Sequence, residues 1–497
     1  MAKDGYILSI DQGTTSSRAL IFSDNGEILS QKNYEFTQLY PKNGWVEHDP
    51  IEILDTTIKA IKFVIADSKI DPKDISVAGI TNQRETVVVW DKTSGKPVYN
   101  AIVWQDRRTA SFCDELIEKN KTSLIQQKTG LVIDAYFSGT KIKWILDNNK
   151  ELREKANDNK LLFGTVDSWL IWNLTNGKSH ITDPSNASRT LLYNIKDDKW
   201  DKELLELFDV PENILPKVVD SSSVSTNIDK EILGVEIPIS GIAGDQQAAL
   251  FGQLCINQGD IKNTYGTGCF CMMNTGENFV MSKNKMLSTI AWRINGKITY
   301  ALEGSVFVAG ALIQWLRDQL GIIKSSPEVE ELAKTVNDNG GLTFIPALSG
   351  LAAPYWDPYV QGTIFGITRG TENGHIARAA LESIALRTRD IVIEMEKDAG
   401  IKFKDLKVDG GASNNNLLMQ IQANLLSTNV VRPKTTETTA LGVAFLAGLA
   451  TGFWKDISDL KNLWVEDMSF NPDKNFKSND ILELWQNRIN KLLKVNE

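Results

Sequence analysis

Two stretches of one kind constrain this chain more than anything else in it. Near the N-terminus a strand candidate, Tyr6–Ile10, runs into Asp11-Gln12-Gly13-Thr14-Thr15-Ser16-Ser17-Arg18 and leaves through Ala19–Phe22. In the second half Asn263-Thr264 leads into Tyr265-Gly266-Thr267-Gly268-Cys269, and Phe270–Met273 again reads as strand. A hairpin turning on glycine and hydroxyl residues suits phosphate, because the backbone can come close and both N–H and O–H groups can donate. Arg18 adds charge, and Asp11 at a strand end can hold Mg²⁺ through water. An ordinary polar turn uses the same residue types. Their repetition suggests two related halves facing one nucleotide. No G-x-x-x-x-G-K-[ST] occurs, and no G-x-G-x-x-G follows a strand in a βαβ unit, so the P-loop and dinucleotide-binding classes are excluded.

Between the hairpins lies Gly241-Ile242-Ala243-Gly244-Asp245-Gln246-Gln247, with Ile237–Ser240 before it and Ala248–Phe251 after it. This reads as strand, tight turn and helix. Asp245 is there a candidate general base or metal-water holder, or simply a helix N-cap. Ile75–Ile80 reads as strand and ends in Thr81-Asn82-Gln83-Arg84-Glu85-Thr86. Neighbours in a strand face opposite ways, so Arg84 and Glu85 do not simply pair. In a loop they can close on a polyol, one donating and one accepting; two solvated charges are the alternative. Trp104 is a ligand wall or core. Gly410-Gly411 before a helix at Leu417–Leu426 lets a ring or phosphate approach, or forms a plain turn. A helix read over Gly304–Leu320 puts Gly310 and Gln314 on one face. Further helices are expected after the Asp49-Pro50 cap, from about Ile142, and over Thr165–Trp172, Lys196–Leu207, His375–Ala399 and Thr439–Gly452. Strands are expected at Ile28–Phe36, Val87–Trp90 and Ala101–Gln105, and Pro211–Lys230 reads as loop.

At 497 residues the chain exceeds one ordinary core, so two domains or more are expected. A net charge of −9 without a basic run argues against nucleic acid. The longest apolar stretch, near Ala440–Ala450, is too short to span a bilayer. Four cysteines and three scattered histidines complete no zinc motif. With no signal-peptide pattern before Tyr6, a reduced cytoplasm is the expected compartment.

Several of these stretches, together with Gly44-Trp45-Val46-Glu47-His48-Asp49-Pro50, resemble the motifs of glycerol-phosphorylating members of the FGGY carbohydrate kinase family, from about Tyr6 to about Trp454. The resemblance implies an α/β architecture: two ribonuclease H-like domains of the actin-like ATPase fold with a nucleotide cleft between them. The domains would span residues 1–252 and 253–497, the first with the polyol site and the second with the adenosine site. It implies transfer of the γ-phosphoryl of MgATP to a terminal hydroxyl of glycerol. Asp245 matches the catalytic base, and Arg84, Glu85, Tyr136, Asp245 and Gln246 match the glycerol site, with Trp104 and Phe270 as apolar wall. Thr14, Thr15, Ser16, Arg18, Thr267, Gly310, Gln314, Gly411 and Asn415 match nucleotide positions, and Asp11 and Asp245 lie where Mg²⁺ and its waters belong. A dimer or tetramer of identical chains is also implied. Departures are Ala135, where the family usually has Pro, and Glu236, where members inhibited by fructose 1,6-bisphosphate carry Arg. No His lies between His180 and His375, so the loop histidine phosphorylated in some members is missing, and Asn471–Asp480 does not resemble the regulator-binding surface of enteric relatives. Two rival readings use the same phosphate motifs: a kinase for another polyol or sugar, and an actin-like ATPase acting as a chaperone or filament protein.

Overall fold

The computed structural model describes residues 5–357 and 359–495. Its spine is one 13-stranded sheet built from two similar sets. Tyr6–Gln12, Ser16–Phe22 and Ile28–Glu35 form an antiparallel run, and Ile75–Asn82 and Ile237–Gly244 follow in parallel. Ser222–Ile228 closes this set antiparallel to Ile237–Gly244. The C-terminal half repeats the plan. Ile261–Tyr265, Cys269–Gly276 and Lys297–Val306 alternate in direction, Asp405–Asp409 and Asn429–Pro433 run parallel, and Glu466–Phe470 is the antiparallel edge. Leu287–Ile294 extends this half beyond Lys297–Val306. The sets meet where Ser222 pairs with Ile294. These are the two ribonuclease H-like halves expected, and Tyr6–Gln12 is buried along nearly its whole length, as a strand covered on both faces must be.

Each half ends its parallel strands in a helix that crosses to the other half. Asp245–Gly252 reaches the strands at Ile261–Tyr265 and Cys269–Gly276, and Thr438–Thr451 lies over Tyr6–Gln12, Ile75–Asn82 and Ile237–Gly244. The helices cross at two glycines: a Cβ on Gly442 would stand 1.8 Å from the Ala248 carbonyl oxygen, and one on Gly252 2.0 Å from that of Thr438. Around this crossing Ile7, Val77, Phe251, Met272, Trp292, Phe445 and Trp454 form a core shared by both halves.

Several elements depart from expectation. Lys196–Leu207 is not one helix: Lys199–Trp200 pairs with Tyr193–Asn194, and Asp201 starts the helix Lys202–Phe208 by accepting Leu204 N–H at 3.1 Å. Ser222–Ile228, inside the expected loop, is a strand because Ile237–Gly244 and the Ser222–Ile294 pairing supply its backbone partners. Gly304 to Val306 continue a strand opposite Cys269–Cys271, and the helix begins only at Gly310. The helix expected from Ile142 already starts at Ser138, and the strand at Ala101 stops at Ile102.

Candidate active site

Strand Ile237–Gly244 delivers Asp245 to the first position of its helix. The N-cap is Gly244, not Asp245: the Gly244 backbone is extended and its N–H donates to Ser185 Oγ at 2.9 Å. Asp245 Oδ1 accepts from the adjacent Gln246 N–H, at 2.7 Å. Glycine at 244 has a steric reason. A Cβ there would lie 2.7 Å from the Arg84 side-chain stem, which passes over it.

Arg84 Nε then sits 3.3 Å from Asp245 Oδ1. The Arg84 guanidinium is also bonded to Glu303 through both terminal nitrogens and to Gln247 Oε1 at 3.2 Å. Glu85 follows at φ +62°, with Thr86 N–H bonded back to the Arg84 carbonyl at 2.7 Å. That conformation is rare for a residue with a side chain and costs roughly 1–3 kcal/mol. It turns Glu85 away from Arg84, 3.9 Å distant, toward Arg189 Nε at 2.6 Å. Arg84, Glu85, Arg189 and Glu303 are all buried. Burial pushes the Glu303 carboxyl up, but Arg189 and Arg84 together pull it down to about 2. Asp245 goes the other way. Though 29% of its side chain is exposed, enclosure by the protein outweighs Arg84 and pushes the carboxyl up to about 6.

Aromatic rings flank this cluster. Trp104 meets Tyr136 edge-on at 5.5 Å and Phe270, from the C-terminal half, at 6.4 Å. Trp104 Nε1 donates to Thr14 Oγ1 at 3.0 Å, which ties the wall to the first hairpin. The loop with Ala135 is held by hydrogen bonds: Asp134 accepts Tyr136 N–H at 2.7 Å, and buried Lys141 donates to the carbonyls of Tyr136 at 2.6 Å and Phe137 at 2.9 Å. Gln246 Oε1 accepts from Lys262 Nζ at 2.6 Å, across the two halves.

The first hairpin and the strand after it open on a cleft of about 420 Å³ lined by Asp11, Gly13, Ser16, Arg18, Gln31, Lys32 and Asn33 and, from the C-terminal half, Glu437. Arg18 is ion-paired with both Asp11 and Glu437. Thr267, at the tip of the second hairpin, accepts from the N–H groups of Ala309 at 2.9 Å and Ala311 at 3.0 Å. Gly310 rests on Gly266, where a Cβ would come within 2.6 Å of the carbonyl oxygen. Gln314 is exposed on the same helix, Gly411 is open to solvent, and Asn415 caps the helix Asn416–Leu426 by accepting Leu418 N–H at 2.9 Å. Thr14, Thr15, Ser16 and Arg18 thus share one hairpin, Thr267 lies on the second, and Gly310 packs against it from the start of its own helix. No hydrogen bond among the described residues joins Gln314, Gly411 or Asn415 to either hairpin. Arg189, Gln247, Lys262, Glu303 and Glu437 were not foreseen. No group of three or more His, Cys, Asp or Glu is gathered for a metal among the described residues, nor is any helix there long and apolar enough to cross a membrane.

The N-terminal domain profile of the FGGY family of carbohydrate kinases matches residues 6–252, and its C-terminal domain profile matches residues 261–451. Glycerol kinase 2 of Thermotoga maritima is 59% identical over 489 residues, covering 98% of this chain and 99% of its own. A glycerol kinase from a Thermoanaerobacter species is 58% identical over 495 residues, 99% of each chain. Among solved structures, Plasmodium falciparum glycerol kinase with ADP superposes with a TM-score of 0.92 at 37% identity, covering 98% of both chains. A xylulose kinase from Lactobacillus acidophilus shares the fold, with a TM-score of 0.88 over 98% of both chains at 23% identity.

Proposed function

This chain belongs to the FGGY family of carbohydrate kinases, and we infer from that membership and from its site that it transfers the γ-phosphoryl of ATP to a terminal hydroxyl of glycerol. One observation carries the reading: Arg84 and Asp245 stand 3.3 Å apart beneath an aromatic wall, with Glu85 beside them. A polyol offers hydroxyls that both donate and accept. Arg84 donates, Glu85 accepts, and Trp104, Tyr136 and Phe270 face the carbon side. Gln246 lends its amide, oriented by Lys262. Asp245 accepts the proton of the attacking hydroxyl and aims that oxygen at the phosphorus. Phosphoryl transfer depends mainly on positioning and charge neutralisation, which is what a rigid, charged, enclosed site provides.

The nucleotide lies between the hairpins in this reading. Thr14, Thr15, Ser16 and Arg18 meet its phosphates from one side and Thr267 from the other, while Gly310, Gln314, Gly411 and Asn415 line the adenosine side. Asp11 and Asp245, close enough that the charge of Asp11 helps push the Asp245 carboxyl up, would hold Mg²⁺ through one or two carboxylates, with waters and phosphate oxygens completing its shell. When bound, the ion neutralises phosphate charge. The polyol-bearing domain ends at residue 252 in this scheme and the nucleotide domain begins at 253. A cytoplasmic homo-oligomer is its expected setting.

Measuring ADP release across a panel of glycerol, xylulose, gluconate and no polyol tests the reading. Turnover with glycerol and little elsewhere supports it. Equal ATP hydrolysis without any polyol would point to a non-kinase ATPase, and preference for another polyol would reassign the substrate.

A further inference from the structure

Glu303 belongs to no motif in the sequence, yet both of its oxygens are engaged in the site. It lies on strand Lys297–Val306 of the C-terminal half and is 0% exposed, whereas Arg84 and Glu85 come from the N-terminal half. Oε1 accepts from Arg84 Nη2 at 3.1 Å and from Arg189 Nη2 at 2.8 Å, and Oε2 accepts from Arg84 Nη1. A two-pronged carboxylate–guanidinium contact sets the plane of the guanidinium as well as its distance. With both terminal nitrogens committed to Glu303, the Nε edge of Arg84 is the one turned to Asp245. Arg189 extends the chain of contacts, since its Nε holds Glu85 Oε1 at 2.6 Å. Arg84 is therefore fixed directly by Glu303, and Glu85 through Arg189.

We propose that Glu303 is a positioning residue for polyol recognition, setting the plane of Arg84 and, through Arg189, the placement of the Glu85 carboxylate. The proposal rests on the reading of Arg84 and Glu85 as the polyol-binding pair. Its consequence is that the polyol-reading groups of one half take part of their alignment from the strand of the other, beside the contacts of Arg84 with Gln247 and Asp245 in its own half. A buried ion network is weak evidence for stability in itself. What it supplies here is orientation. Without the Glu303 charge, Arg84 has Glu85 and Asp245 as its remaining carboxylate neighbours and turns toward them, out of the plane that serves the substrate.

Steady-state kinetics on the full chain test this with Glu303→Gln and the charge-balanced double variant Glu303→Gln/Arg189→Gln. Each substrate is varied while the other is saturating. The expected result for Glu303→Gln is a glycerol KM raised roughly tenfold or more, the scale of one charged hydrogen bond, with the ATP KM within about twofold of wild type. The double variant removes one charge of each sign, so folding escapes a net buried charge, and its glycerol KM stays raised because Arg84 still lacks its carboxylate. An unchanged glycerol KM in Glu303→Gln overturns the proposal, as does an equal rise in both KM values or a return of the double variant to wild-type glycerol KM. Wild-type protein without glycerol turnover would sink the functional reading itself; active wild type with an indifferent Glu303→Gln sinks this inference alone.

Discussion

Asp245 shows how much one residue's meaning depends on its neighbours. At the first position of a helix it looks like a cap, yet it caps little: Gly244 holds the cap position, and the carboxylate faces Arg84. Asp245→Asn keeps that shape and removes the carboxylate proposed as the base. Its kcat should fall by roughly 10²–10⁴-fold, the usual scale for losing a general base, and near-normal turnover in single-turnover assays would reject the assignment. Lys141 braces the proposed polyol wall from behind, through the carbonyls of Tyr136 and Phe137. Lys141→Met should loosen the Tyr136 loop and raise the glycerol KM by about 3–10-fold while the ATP KM stays put; an unchanged glycerol KM would mean the loop holds itself. The residues legible in the sequence, Arg84, Glu85 and Asp245, carry reactive groups next to turn-forming partners. Glu303 and Arg189 were not legible because they meet Arg84 and Glu85 only by long-range folding, across 219 and 104 residues. Glu85 at φ +62° was not legible either, since nothing local favours it there.

At the scale of elements, strong local signals survived and weak ones yielded to tertiary pairing. Asp49-Pro50 starts its helix, and Gly400 ends the long one at φ +66°, as their chemistry requires. Ser222–Ile228 has no apolar alternation to announce a strand, so only its partners define it. The helix crossing carries a sharp prediction. A methyl group on Gly442 would collide with backbone at 1.8 Å, and backbone cannot swing aside. Gly442→Ala should destabilise by about 1–3 kcal/mol or more, read as a lowered thermal midpoint; an unchanged midpoint would show that the helices can part without penalty. A second prediction concerns pH. His48, buried and bonded through Nε2 to Gln38 at 2.8 Å, is lowered by burial to about 4. The unfolded chain takes up this proton below about 6.5, while the folded chain resists until about 4. Its contribution to stability is therefore whole above 6.5 and lost as pH falls toward 4, about 2 kcal/mol of it by pH 5. Asp167, pushed up by burial to about 7, works with the opposite sign, gaining stability on acidification. Comparing urea midpoints at pH 7 and pH 5 in wild type and His48→Phe cancels that contribution. The acid loss should shrink in the variant, and an equal loss in both would show that His48 titrates normally.

The whole molecule is two similar halves sharing a sheet, a core and a cleft. The duplication was readable because both halves turn their first hairpin on Gly-Thr. The joint was not, because it is made by a serine-rich strand and by helices that exchange places. At the mouth of the cleft the halves touch once more, where Arg18 of the first hairpin pairs with Glu437 just before helix Thr438–Thr451. The two side chains are 28% and 30% exposed, and pairs this open to water contribute little to stability, about 0–1 kcal/mol. The charge matters more for what enters the cleft. ATP brings several negative charges toward a hairpin whose one arginine is already held by Asp11 and Glu437. With the phosphates placed at this hairpin as proposed, Glu437 would both compete for Arg18 and repel them. Glu437→Gln should therefore lower the ATP KM by roughly 3–10-fold at low salt, and the gain should fade as ionic strength rises and screening shortens the reach of the charge. Glycerol KM and thermal midpoint should stay near wild type, because neither the polyol cluster nor the shared core contains Glu437. An ATP KM that rises instead would mean Glu437 holds Arg18 in place for the phosphates, and competition at the mouth would be the wrong account of this contact.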